Sequence, residues 1–257
     1  MRRYLGLGVV VKKCPPLYRQ INRILKWRLH EPNLRLAHRF LGTWCGGWAI
    51  PEGYLHPSSI AYTVGVGDDI SFDLALVEEF GCKVFAFDPT PMAVEFMSSR
   101  ELPAEITFVP VGLSSHDGTT AFLAPDENSP ICFSRTVDPK RGQTAETLCE
   151  TMTLATMMKR LGHERVDLLK MDIEGFEYEV VDQLLASRTF PKCLLVEFHH
   201  MIYGIEIEKT RRAVENLLAA GYRIFWVSDG GREYGFIRDD ETTADAASSL
   251  EAQALGL

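Results

Sequence analysis

From Ser59 onward, short apolar runs alternate with amphipathic stretches in a regular order. The runs are Ser59 to Val66 (SIAYTVGV), Lys83 to Phe87 (KVFAF), Ile106 to Leu113 (ITFVPVGL), Val166 to Ile173 (VDLLKMDI) and Lys192 to Phe198 (KCLLVEF). Runs this short, without helical period, fit strands covered on both faces. The stretches Phe72 to Phe80, Pro91 to Ser99, Thr153 to Leu161, Glu177 to Ser187 and Glu206 to Ala220 carry apolar residues at helical spacing. In the first of them Leu74, Leu76 and Val77 are expected to face the core, with Asp73, Glu78 and Glu79 outside. Thr90 followed by Pro91 reads as a capped helix start. Tyr222 to Val227 and Glu233 to Ile237, joined by SDGGR, read as an antiparallel pair. Five strand–helix units and a hairpin predict an α/β fold with helices on both faces of a mainly parallel seven-stranded sheet, closed by an antiparallel hairpin.

The flanks are less regular. Pro16 to Leu41 has apolar residues at near-helical spacing, interrupted at Glu31-Pro32-Asn33, so two N-terminal helices are expected. CGGWAIPEGYLHPSS reads as a short strand with turns, and Thr119 to Leu123 as a hairpin arm. Pro125 to Glu150 shows no period and predicts a long loop, functional or mobile. The expected organisation is a basic helical segment over 1–45, one catalytic-type domain over 46–238 and an acidic tail over 239–257.

Charge sharpens that division. The first forty residues hold ten Lys or Arg and one acid, a net of +9, so the rest of a chain of net charge −8 carries −17. Such a segment either docks on its own acidic domain or meets a membrane face or an acidic partner. No nucleic-acid partner is expected. The six cysteines form no CxxC pair and no zinc spacing, which suits reduced thiols in a cytoplasm. No apolar run is long enough for a membrane span. The basic lead MRRYLGLGVVVKKC lacks a small-residue cleavage site, so secretion is not expected.

Parallel sheets bind ligands at the carboxyl ends of their strands, near the point where strand order reverses. There LLKMDIEGFEYEVV places Lys170, Asp172, Glu174 and Glu177 beside an apolar run. Lys170 is expected to pair with a buried acid. Gly65-Val66-Gly67 permits a tight turn and close backbone approach. Ile70 stands where a dinucleotide pattern has its third glycine, and Asp68 and Asp69 would repel a pyrophosphate. A cationic nucleoside such as S-adenosylmethionine suits two acids better. Asp88, ending the second strand, lies where an acid binds ribose hydroxyls.

GVGDDISFDLALVEEFGCKVFAFDPTP, VPVGLSSHDG, LLKMDIEGFEYEV and LLVEFHH, in that order, resemble the FkbM-type family of S-adenosylmethionine-dependent methyltransferases, over roughly Gly46 to Arg238. The resemblance implies a class I methyltransferase (Rossmann-like) sheet and O-methylation of a hydroxyl on a sugar or secondary metabolite. It implies donor contacts at Gly65, Gly67 and Asp88, with Asp69 added, and places Val111 to Leu113, hence Gly112, near the adenine. Thr63 and Asp69 stand where many class I enzymes have an acid and a third glycine.

An alcohol must lose its proton to attack the methyl group, which calls for a positioned base. The candidates are Asp172, Glu174 and His199, with His200 beside them. Asp172 is expected to position the donor or the hydroxyl, and His199 or Glu174 to act as base. No spacing enforces a metal site, although Asp172, Glu174, Glu197 and His199 could gather a divalent cation such as Mg²⁺. A catalytically inactive methyltransferase-like binding module, tethered by its basic helices, is the alternative. A dehydrogenase is disfavoured, since no tyrosine has lysine four residues later.

Overall fold

The computed structural model describes residues 28–123, 146–202 and 204–238. Along the chain, β1 (His38–Leu41) and β2 (Trp48–Pro51) precede β3 (Ile60–Val64), α1 (Ser71–Phe80), β4 (Lys83–Phe87), α2 (Pro91–Ser98) and β5 (Ile106–Val109). Then come β6 (Gly112–Leu113), β7 (Gly118–Leu123), β8 (Glu146–Met152), α3 (Leu154–Leu161), β9 (Leu168–Met171) and α4 (Glu177–Ser187). The chain continues through β10 (Cys193–Glu197), α5 (Ile207–Ala219), β11 (Tyr222–Val227) and β12 (Glu233–Arg238).

Seven strands form the main sheet in the order β11-β12-β10-β9-β3-β4-β5. All neighbours from β10 to β5 are parallel, and β12 runs antiparallel to both β10 and β11. The chain fills β3, β4 and β5 in one direction, then crosses back to lay β9 against the other side of β3. The reversal point therefore lies between β3 and β9, where Asp172 N donates to Val64 O at 3.1 Å.

Consecutive residues of each strand face opposite sides of the sheet, so Leu168 and Leu169 enter different cores. Leu169 packs with Met157 of α3, Tyr178 and Leu184 of α4, and Leu217 of α5. Leu168 packs with Phe72 and Leu76 of α1 and with Trp48 and Ile50 of β2. Full burial of each such side chain contributes about 1.5–3 kcal/mol. Thr90 caps α2 as its sequence predicts, its hydroxyl accepting from Ala93 N. Thr153 does the same for α3 through Thr156 N.

Several expectations change. Residues Leu34 to Leu41 are not helical; the last four form β1, which pairs antiparallel with β2. Leu34 and Leu36 stand two apart, the spacing of an extended chain, and both pack on the core. In α1 it is Asp73 that is buried and Leu74 that is 40% exposed. The Thr63 hydroxyl donates to Asp73, and that bond turns the acid inward. The run from Ile106 to Leu113 is broken at Pro110, which has no N–H to give a ladder. Its second part, β6, joins a separate three-stranded sheet in the order β6-β8-β7. Glu146 to Glu150, the end of the expected loop, belong to strand β8, with Cys149 and Thr151 buried at period two. The first N-terminal helix, the remainder of the expected loop and the acidic tail fall outside the described residues.

Candidate active site

The turn after β3 and the ends of β4 and β9 enclose a cleft of about 250 Å³, lined by Gly65, Gly67, Asp69, Asp88, Gly112, Lys170, Asp172 and Glu174 among others. All five residues expected to hold the donor thus line one cavity. Their roles differ. Asp88 accepts from Gly67 N at 3.0 Å through one oxygen, and from Thr90 N and Oγ1 at 2.9 and 2.6 Å through the other. A carboxylate has about four lone-pair sites, so Asp88 keeps accepting capacity toward the cleft. Gly67, at φ +56°, has open space where a β-carbon would point. At Gly65 a β-carbon would stand 1.8 Å from the Asp172 carbonyl oxygen, so glycine there serves strand packing. Gly112 is likewise confined, by Pro89 and Thr151. Asp69 accepts from Thr43 Oγ1 at 2.5 Å and Ser71 N at 2.7 Å. Burial opposes its charge, but those bonds and nearby Lys170 hold the carboxyl below its ordinary range.

Lys170 takes a role other than the expected acid pair. Its ammonium donates to the carbonyls of Val64 and Gly65 at 3.2 and 2.8 Å, holding the turn that ends β3. Its charge also acts through space on Asp69 and Asp73.

Across the reversal point Asp172, Glu174 and His199 converge. His199 is buried, and its Nε2 lies 3.6 Å from Asp172 Oδ1 and 3.3 Å from Glu174 Oε2. Glu174 has φ +52°, rare for a side chain of its kind and frequent at functional turns. The imidazole Nδ1 is 2.8 Å from Glu177 Oε1. Glu177 is fully buried and accepts from Ile173 N and Gly175 N as well. Burial opposes charge on His199, yet Glu177, Glu197 and Glu174 outweigh it and hold the imidazole well above its ordinary pKa. Glu197 is raised by burial, then by Asp172 and Glu233, with His199 and Arg232 opposing. His200 leaves the candidate set. Its ring bonds Thr210, and burial, with Arg232 and His199, pushes it down to about 4.

A second cavity of about 400 Å³ adjoins the first and shares Cys45, Trp48 and Asp172 with it. Its wall includes Phe40, Trp44, Trp48 and Trp226, with Glu197, Asp229 and Glu233 among them. The segment joining β1 and β2 stands between the two cavities, tied down by the Thr43–Asp69 bond. Sequence reasoning missed this wall because Trp226 is far along the chain from Phe40 and Trp44. The available signal was the density of aromatics and glycines from Phe40 to Trp48.

Strand order, with β12 inserted antiparallel beside β10, and a cleft at the β3–β9 reversal define a class I methyltransferase fold. Within that class, residues 51–224 match the methyltransferase FkbM domain, and the chain belongs to that family. It is 23% identical over 156 residues to probable methyltransferase-like protein 24 of Homo sapiens, covering 60% of this chain and 36% of that protein. The rat protein of that name (Rattus norvegicus) matches equally, at 23%. The match thus spans about a third of the curated relatives' length. Among solved structures, precorrin-6y C5,15-methyltransferase of Geobacter metallireducens aligns at 13% identity and TM-score 0.37, covering 66% of each chain. Aeropyrum pernix fibrillarin, solved with S-adenosyl-L-methionine, aligns at 12% and 0.39, over 80% of this chain and 84% of that one. Both superpositions are loose.

Proposed function

We propose that the protein transfers a methyl group from S-adenosylmethionine to a hydroxyl of an acceptor seated in the second cavity. The observation that carries this is Asp172, which lines both cavities at the reversal point. The first cleft suits the donor. Asp88 retains lone pairs for ribose hydroxyls, the open face of Gly67 admits close approach, and Leu113, Phe122 and Phe176 give a purine an apolar wall. Asp68 and Asp69 favour a cation there. The bound donor supplies a methyl group made electrophilic by its sulfonium.

The chain's own part is alignment and proton removal. Asp172, Glu174 and His199 stand at the junction, where an acceptor hydroxyl entering from the second cavity must shed its proton. Among the described residues Arg28 is the one Lys or Arg lining that cavity; it is paired with Glu31 and Asp229, while carboxylates and aromatic rings make up much of the rest. Such a wall suits a neutral polyhydroxylated acceptor, a sugar or similar metabolite. Rings pack on C–H faces, carboxylates accept from hydroxyls, and a phosphorylated acceptor would be repelled.

Calorimetric titration with S-adenosylmethionine and with NAD tests the donor. Saturable binding of the first is expected, weakened about tenfold or more by Asp88→Ala, the loss of a charged hydrogen-bond acceptor. Asp172→Asn should keep donor affinity and lose methyl transfer in a screen of hydroxyl compounds with labelled donor. Binding of NAD alone, or full turnover in Asp172→Asn, overturns the assignment.

A further inference from the structure

We infer that Asp172, Glu174 and His199 bind a divalent cation of the Mg²⁺ or Mn²⁺ type at the meeting point of the two cavities. The inference deepens the proposed methyl transfer, which it would serve by holding the acceptor oxygen. Its basis is the direction of the imidazole. Glu177 takes two backbone N–H donors and faces His199 Nδ1 at 2.8 Å, so its carboxylate has only acceptor sites to offer and Nδ1 must carry a proton. That orientation turns Nε2 toward Asp172 Oδ1 and Glu174 Oε2. One ligand atom from each of the three residues lies within 4.8 Å of the others, a span that a single ion can bridge.

Asp172 and Glu174 both face Nε2 of His199, so two carboxylates share whatever positive charge stands there. A proton on Nε2 answers one carboxylate; a divalent ion answers both and the imidazole as well. Charge around the cluster points the same way. Asp172, Glu174, Glu177 and Glu197 face or act on His199, whereas Arg232 is 3.4 Å from Glu197 and Lys170 donates to backbone carbonyls. Glu177 is buried and the others are partly so, and such a cluster of carboxylates is costly unless a cation offsets it.

The carboxylate behind the imidazole is a separate sign. Histidines that ligate metals donate their other N–H to a carboxylate or carbonyl, which fixes the tautomer and raises basicity. Glu177, fully buried and on a different element from His199, occupies that place. Two carboxylate oxygens and one nitrogen favour a hard or borderline ion over a soft one. Asp172 borders the second cavity, which would leave coordination positions open to an acceptor hydroxyl.

The test needs neither donor nor acceptor. Chelator-treated, dialysed full-length protein is titrated with Mn²⁺, and the free ion is followed by electron paramagnetic resonance. One ion per chain is expected to bind, competed by Mg²⁺. Glu174→Gln and Asp172→Asn should each weaken it about tenfold or more, and Glu177→Gln roughly 10- to 100-fold. Asp88→Asn, in the donor cleft, should not change it. Should a variant fail to fold, paramagnetic broadening in the wild-type protein, centred on the His199 ring, gives the same answer. Absence of saturable Mn²⁺ binding, broadening centred elsewhere, or binding retained by both ligand variants overturns the inference. Donor titration of the same samples separates the two proposals. Donor binding without Mn²⁺ binding removes the cation alone, and Mn²⁺ binding without donor binding removes the donor.

Discussion

At Gly65 the chain has no room for a side chain. A β-carbon would press on the Asp172 carbonyl, and φ is +84°. Gly65→Ala is expected to cost about 2–4 kcal/mol of stability from clash and left-handed backbone together, read as a lowered urea midpoint. Gly67→Ala, with open space and φ +56°, should cost only about 1 kcal/mol of strain. The two glycines look equivalent in the sequence. Their separation comes from β9, which lies beside β3 in space and more than a hundred positions away in the chain. Asp88 and Asp172 were legible because each ends an apolar run, and in a parallel sheet that position faces the ligand crevice. Glu177 stands out in the sequence with Asp172 and Glu174, but its pairing with His199 was not legible, since the two sit on different elements 22 positions apart.

Among the elements, β11 forms the edge of the main sheet, and the N-terminal segment bonds to its backbone at Ile224. Asn33 N and Leu34 N donate to the Ile224 carbonyl, and Asn33 Oδ1 accepts from Ile224 N at 2.7 Å. Exposed sheet edges invite pairing with other chains, and this clamp blocks the edge at Ile224. Asn33→Ala should destabilise by about 1–2 kcal/mol through the unmatched Ile224 N–H, measured by equilibrium unfolding. Helical spacing was the wrong template here because Leu34, Leu36 and Leu41 meet the core as an extended chain. Arg28 and Arg39 pair with Asp229 and Glu79, so part of the basic segment is matched by acids of the same domain. Strand β8 escaped notice for a related reason. Its inward residues, Thr147, Cys149 and Thr151, are small or polar and carry little hydrophobic signal.

Over the whole molecule, stability and site chemistry can be probed separately. His163 lies before β9 and lines neither of the two site cavities, with its Nδ1 2.6 Å from the Tyr62 hydroxyl. Burial, then Lys83, holds its pKa below the ordinary 6.5. A depressed histidine pKa means that the unfolded chain binds the extra proton first. The contribution is present above about pH 6.5 and is lost as pH falls through the folded value. The wild type should therefore lose stability relative to His163→Gln as pH drops below that point, while the two keep a constant difference above it. Urea midpoints across pH 5 to 8 check this. A constant offset throughout would remove the coupling.

The alternation of apolar runs and amphipathic stretches was enough to determine a parallel sheet with covered faces. It also set which residues stand at the carboxyl ends of its strands, because side-chain period and strand burial are local properties. Among the described residues no helix is long and apolar enough to cross a membrane, in line with the hydropathy of the chain. Tertiary structure alone decided that His199 turns toward Asp172 and Glu174, that Glu177 stands behind it, and that Phe40, Trp44 and Trp226 wall one cavity. Those meetings depend on strand order and on the crossover from β5 back to β9, which bring together residues whose separation in the chain carries no periodic trace.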